Sequence, residues 1–212
     1  TRTAALINGT SSHIIEFDDI YRDGLFHPGS PIISAALAVA EMVNSSGTDL
    51  LHGIIAGYDV ANSIAEAINP HHYDWWHTTA TVGFLGASTS SAVLLGLSSE
   101  QTSHALATSG TMAAGLQQAF RADAMSKPIH SGRAAEGGVL SALLAKNGVT
   151  GALDILEGER GFGNAMSVNV DWKKALDELE DNDSITKITQ KNHAACGHVP
   201  VSYTHLTLPT KA

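Results

Sequence analysis

The architecture of this chain is limited most by a segment type that keeps recurring: apolar, helix-length, rich in alanine, glycine and serine, and bounded by caps and breakers. Pro31 to Asn44 (PIISAALAVAEMVN) is the first such segment, with Ser30 as its expected N-cap and Ser45-Ser46-Gly47 as its stop. Thr48 is expected to cap a helix from Asp49 to Ile68, whose acidic first residue suits the positive end of the helix dipole and which Pro70 ends. Thr81 to Gly96 repeats the pattern, Ser98 to Gln101 offers a capping box for Gln101 to Gly115, and a further helix is expected over Arg133 to Asn147, closed by Gly148. Thr150 reads as the cap of a short helix from Gly151 to Glu157. Small side chains let helix backbones approach closely, so the pattern predicts a mainly α fold, an Ala/Gly-rich bundle of tightly packed antiparallel helices with slender cores.

Chemistry gathers in the loops ahead of these helices. His13 to Ser30 (HIIEFDDIYRDGLFHPGS) carries Glu16, Asp18, Asp19 and Asp23, and then His27 in a turn made stiff by Pro28 and Gly29. The simpler alternative is that His27 only caps the turn and that the carboxylates form a solvated face. His71 to Thr79 (HHYDWWHTT) places three histidines and two tryptophans between helices and leaves His77 beside a helix N-terminus; in the simpler alternative Trp75 and Trp76 merely plug the core. A third loop, Met125 to Gly132 (MSKPIHSG), brings Lys127 and His130 to a third helix start.

Composition excludes several classes of function. With 212 residues and 43% hydrophobic content the chain can bury a sizeable core, as one domain with a second beginning near an end. A formal net charge of −9 with no basic run argues against nucleic-acid or anionic-membrane surfaces, so an anion site must be assembled locally from scattered cations. No run of eighteen apolar residues occurs, and the first fifteen lack a basic start and a small-residue cleavage site, so a cytoplasmic protein is expected. The single cysteine, Cys196, cannot form an internal disulfide.

The character changes after Glu157. The Gly-rich Glu157 to Asn164 lacks the preceding strand and following lysine of a phosphate loop. Asp171 to Asp181 reads as an amphipathic helix, and Ser184 to Gln190 (SITKITQ) alternates with period two, as a strand does. A helical domain over residues 1–183 and the start of a smaller sheet-containing one over 184–200 are therefore expected. Lys191 to His198 (KNHAACGH) adds a lysine, two histidines and the cysteine, a poor zinc set without a nearby carboxylate.

In order, FDD with HPG before a helix, GYDV, an aromatic loop ending in His-x-Thr, SK-x-IHSGRAAEGGV, LEGERGF and K-x-H-x-x-CGH resemble the MmgE/PrpD family over about residues 5–199. That family includes 2-methylcitrate dehydratase, cis-aconitate decarboxylase and iminodisuccinate epimerase. The resemblance implies a large helical domain with a smaller α/β lid, homodimerisation, and no metal or organic cofactor. It places the family's active-site histidines on His27 and His77 and its lysines on Lys127 and Lys191, with Cys196 where some members have histidine. Glu16 corresponds to the acidic residue that precedes FDD in decarboxylase-like members, and Ile20 stands where their threonine follows DD. The implied reaction is removal of a proton alpha to a carboxylate of a small di- or tricarboxylate, most simply with loss of water as in a 2-methylcitrate dehydratase; decarboxylation and epimerisation are the alternatives. Such chemistry calls for fixed positive charge around a developing enolate. It also needs a base, which one of His27, His77 and Lys127, or Asp18 or Asp19, must supply, histidine being best placed, with Glu16, His130, Lys191 and Cys196 as substrate-binding candidates.

The family's chains run on through the lid. Here the opening has no methionine or helix cap, and the terminal VSYTHLTLPTKA resembles translated sequencing adaptor, so an interior fragment with a non-native tail over 201–212 is expected, inactive by itself. Two rival readings come from other classes. Asp18 to Asp23 (DDIYRD) is similar to the magnesium motif of helical isoprenoid synthases, which requires the paired carboxylates on one helix face, against Gly24, Pro28 and Gly29. A non-catalytic helical interaction module would leave the His and Lys turns unexplained, and surface-exposed His27 and His77 would favour it.

Overall fold

In the computed structural model, residues 1–122, 124–181 and 183–194 are described. The helices among them are α1 (Arg2–Ile14), α2 (Gly29–Val43), α3 (Gly47–Ile68), α4 (Thr78–Leu94), α5 (Ser99–Met112), α6 (Gln118–Arg121), α7 (Lys127–Lys146), α8 (Phe162–Met166) and α9 (Trp172–Asp181). Short 3-10 turns occupy His71–Asp74 and Ser184–Lys187. The fold is mainly α, and among the described residues β pairing is confined to the isolated bridges Ile20–Thr189, Tyr21–Phe26 and Trp76–Leu116. None of the described helices is long and apolar enough to cross a membrane.

The helix α4 is the centre of the bundle and packs against α2, α3, α5 and α7. Its sequence (TTATVGFLGASTSSAVL) is small and non-ionic all round, and almost every residue is buried, as expected of a helix with neighbours on every side. Buried alanines contribute little apolar area each, so the core depends on backbones coming close together. The helices α4 and α7 interlock where Phe84 lies over Gly137: a Cβ added at Gly137 would fall 2.0 Å from the Phe84 ring. At the crossing of α1 with α7, a Cβ on Gly9 would lie 2.9 Å from the Gly132 Cα. That contact brings His13, one turn beyond Gly9, alongside the first turns of α7. Larger side chains make up a second core cluster, in which Tyr21, Phe26, Ile32, Tyr58, Ile68, Val82 and Leu85 are buried.

Several expected boundaries differ in instructive ways. The helix α2 starts at Gly29, because the Asp19 carboxylate accepts from the Gly29 N–H at 2.9 Å, while the expected cap Ser30 hydrogen-bonds Ser131 on α7 at 2.7 Å. Ser46, rather than Thr48, caps α3 by accepting from the Asp49 N–H at 3.1 Å. The expected capping box is formed by Ser98 and Gln101. The helix α7 reaches back to Lys127, since Pro128 fits a first turn whose N–H groups need no partner. Gly151 to Glu157 makes turns rather than a helix. Ser184–Lys187 is a 3-10 turn where an alternating strand was expected: the Ser184 hydroxyl donates to Asp59 at 2.8 Å and accepts from Asn62 at 3.2 Å, which ties it down onto α3. Only Thr189 beyond it pairs in extended form, with Ile20. Trp75 is 73% exposed and plugs nothing.

Candidate active site

Four segments far apart in sequence meet at one end of the bundle. The last turn of α1 delivers His13, which is fully buried. The chain then reverses through Glu16, whose φ of +54° lies in the left-handed region, and the Tyr21–Phe26 bridge closes a loop that sets His27 two residues ahead of α2. The His27 N–H donates to Thr79 of α4 at 3.2 Å, so the starts of α2 and α4 are tied together. The His77 N–H donates to the Gly115 carbonyl at 2.9 Å, which fixes this residue at the N-cap position of α4.

These histidines form one group. The His13 ring centroid lies 5.4 Å from that of His27 and 5.6 Å from that of His77, and His77 lies 5.3 Å from His130. Nδ1 of His77 and Nδ1 of His130 are 3.0 Å apart, so one donates to the other. Phe120 packs edge-on to His77 at 4.4 Å, and the Lys127 ammonium sits 5.3 Å from the centre of the same Phe120 ring.

Carboxylates and lysines surround the rings. Nδ1 of His13 donates to Asp18, whose other oxygen accepts from the Lys191 ammonium at 3.0 Å. Lys191 also donates to the Glu16 carbonyl at 3.1 Å and lies 3.4 Å from its carboxylate, while Lys127 donates to Glu16 at 2.5 Å. Burial works against an ionised Asp18, but His13, His27 and Lys191 outweigh it and hold the carboxyl far below the usual range. Glu16 is likewise lowered, its partial burial being overcome by Lys127 and Lys191.

Burial pushes His27 down to about 4, with Asp18 opposing and His13 reinforcing the shift. His77 is driven well below its ordinary value by complete burial and by the neighbouring cations, and His130 is lowered by burial, His13 and Lys127. These three are neutral imidazoles at pH 7. Nδ1 of His27 donates to the Asp19 carbonyl at 2.9 Å, which leaves the Nε2 lone pair as its acceptor.

Of the residues singled out from sequence, His27, His77, Lys127, Asp18, Glu16, His130 and Lys191 are brought together. Asp19 differs: its carboxylate serves the Gly29 N–H and the Tyr58 hydroxyl (2.8 Å), burial raises its pKa, and only its backbone carbonyl meets His27. Cys196 and the expected tail 201–212 lie outside the described residues. His13 was not singled out, although it opens the organised stretch three residues before Glu16, where a helix end beside an acidic run is a usable signal. The magnesium reading fails because Asp18 and Asp19 stand in a non-helical loop, pointing to different partners. The interaction-module reading loses its support as well, since His77 is 1% exposed.

The hollows are less informative than the polar cluster. One of about 540 Å³ lies away from it, lined by Ile64, Leu106, Trp172 and Leu176. Another of about 530 Å³, with Trp76, Leu116 and Arg133 in its wall, reaches the cluster through His130.

The MmgE/PrpD N-terminal domain matches residues 1–175, and this chain belongs to the MmgE/PrpD family. It is 34% identical to human cis-aconitate decarboxylase over 169 residues, 76% of this chain and 34% of that protein. It is 27% identical to a cis-aconitate decarboxylase-like protein of Aspergillus oryzae, over 92% of this chain and 44% of the relative, and 31% identical to mouse cis-aconitate decarboxylase. The chain thus spans less than half the length of these relatives.

Proposed function

We propose that this chain is the helical part of a cofactor-independent lyase that removes a proton alpha to a carboxylate of a small di- or tricarboxylate. The observation that carries the reading is the meeting of neutral His27 and His77 with Lys127 at the starts of α2, α4 and α7. A developing enolate dianion needs donors and positive charge held nearby, and Lys127, now paired with Glu16, together with the starts of α4 and α7 is the set that can supply them. A neutral imidazole has the lone pair that takes the proton, and a positioned base of this kind contributes typically 10²–10⁴-fold.

Dehydration of the 2-methylcitrate kind is the simplest outcome for this donor set. The relatives named as cis-aconitate decarboxylases favour loss of carbon dioxide instead, with cis-aconitate as the first substrate to test. We read residues 184–200 as the beginning of the lid, 201–212 as non-native, and the intact protein as a cytoplasmic homodimer. Assay of the intact parent protein on cis-aconitate, 2-methylcitrate and iminodisuccinate separates decarboxylase, dehydratase and epimerase. In that protein Lys127→Ala is expected to lower kcat by about 10²–10⁴-fold with little loss of stability, and a chelator to leave turnover unchanged. A fully active Lys127→Ala protein, or activity abolished by EDTA, overturns the reading.

A further inference from the structure

The ring at the middle of the histidine group has no part in the chemistry above. His13 is 0% exposed and lies between His27 and His77. Its Nε2 is buried without a hydrogen-bond partner, as is that of His77. Leaving a buried polar nitrogen unpaired costs about 1–3 kcal/mol, so two such atoms on rings whose centroids are 5.6 Å apart mark a place where packing has been subordinated to something else.

The four rings differ in what holds them. His27 bonds a backbone carbonyl, and His77 and His130 bond each other. Only His13 hydrogen-bonds a carboxylate, that of Asp18, whose side chain is 4% exposed; Nδ1 of His27 lies 3.8 Å from the same Asp18 oxygen and bonds the Asp19 carbonyl instead. The charged and titratable groups facing this cluster are Glu16 and Asp18 from the loop after α1, His27 ahead of α2, His77 at α4, Lys127 and His130 on α7, and Lys191 near the end of the described chain. The Asp19 carboxylate is engaged by Gly29 and Tyr58. Glu16 and Asp18 balance Lys127 and Lys191, so a proton added to the group is a surplus positive charge, and Asp18 hydrogen-bonds it only at His13, the His27 ring being 3.8 Å away.

We propose that His13 is a positioning residue of the site: it holds, against Asp18, the single positive charge of the histidine group and thereby keeps His27 and His77 neutral, with lone pairs free for a substrate proton. The use of this arrangement rests on the lyase reading; its geometry does not. The surplus charge also meets an incoming carboxylate without occupying either candidate base.

The test is ¹⁵N NMR of the histidine side chains in the 212-residue chain, without substrate. At about pH 6.5, the ordinary midpoint of a free histidine, His13 is expected to show two protonated ring nitrogens, with His27 and His77 each showing one. In His13→Gln the titration midpoint of His27 is expected to rise by about one pH unit or more, since a charge 5.4 Å away has been removed. In Asp18→Asn the His13 ring is expected to become neutral at the same pH. A neutral His13 in the unaltered chain, or an unmoved His27 midpoint in folded His13→Gln, overturns the proposal, and should the variants fail to fold, the unaltered chain decides. Because no turnover is measured, an enzyme inactive on every tricarboxylate would leave this result standing, and a neutral His13 would leave the lyase reading standing.

Discussion

Lysines meet carboxylates in two regions of this molecule, under opposite conditions. Around the loop after α1, Lys191 (side chain 1% exposed) is held by Asp18 and Glu16 among buried histidines. Along α9 and the 3-10 turn after it, Lys173 pairs with Asp177 at 81% and 60% exposure, and Lys187 with Asp183 at 35% and 52%. The residue types are the same. Water screens the second set, where an ion pair has little effect, whereas in the first set each charge depends on its partners to offset desolvation. The buried set accompanies the shifts at Glu16, Asp18, His27, His77 and His130, and that is what makes it a candidate for chemistry.

The sharpest way to break this comparison is Lys191→Ala. Removing one partner of a buried pair leaves Asp18 and Glu16 short of a counter-charge, so a loss of about 3–5 kcal/mol is expected in chemical denaturation of the chain. A loss below about 1 kcal/mol would put Lys191 in the class of the surface lysines.

Acidification sharpens the same contrast through the histidines. Burial holds His27 and His72 down to about 4 in the folded chain, with Asp18 opposing at His27 and the Met166 carbonyl at His72. Unfolded histidine titrates near 6.5, so between these values the unfolded chain binds more protons. Their stabilisation is complete above about pH 6.5 and is lost as the pH falls toward about 4. Between pH 7 and 5 the unfolding free energy is expected to drop by about 2 kcal/mol per histidine. The lowered Asp18 acts in a separate window, its contribution being lost only as the pH falls below the ordinary carboxylate range of about 4. Denaturation midpoints that stay flat from pH 7 to 5 would show the histidine cluster to be open to water. The smallest effect is expected for Lys173→Ala, which should leave the denaturation midpoint where it is, as for most exposed pairs at spacing i,i+4. A loss matching that of Lys191→Ala would erase the distinction between the regions.

How much of this was legible in the chain depends on the range of the interaction involved. Ser98 and Gln101 form their capping box as read, because both partners lie within one turn. The helix-forming, small-residue character of α2, α3, α4 and α7 was legible for the same reason. Ser184–Lys187 is a 3-10 turn where alternation suggested a strand, since alternation is a local signal and the buried bonds to Asp59 and Asn62 that tie Ser184 onto α3 are not. Ser30 was assigned a local role and has a distant one, on Ser131.

The same division runs through the site. Local sequence determined that His27, His77 and Lys127 stand at helix starts on short stiff turns, because Pro, Gly and the onset of apolar periodicity fix those places without reference to the rest of the chain. Only the tertiary structure decided that the starts of α2, α4 and α7 meet, that Asp18 faces His13 while Asp19 turns to Gly29 and Tyr58, and that Lys191 reaches back to Glu16. Neighbouring aspartates with the same chemistry are told apart by what lies across from each of them. Those neighbours were set by the Gly9–Gly132 and Phe84–Gly137 contacts, where the absence of a Cβ lets α1 and α4 settle onto α7.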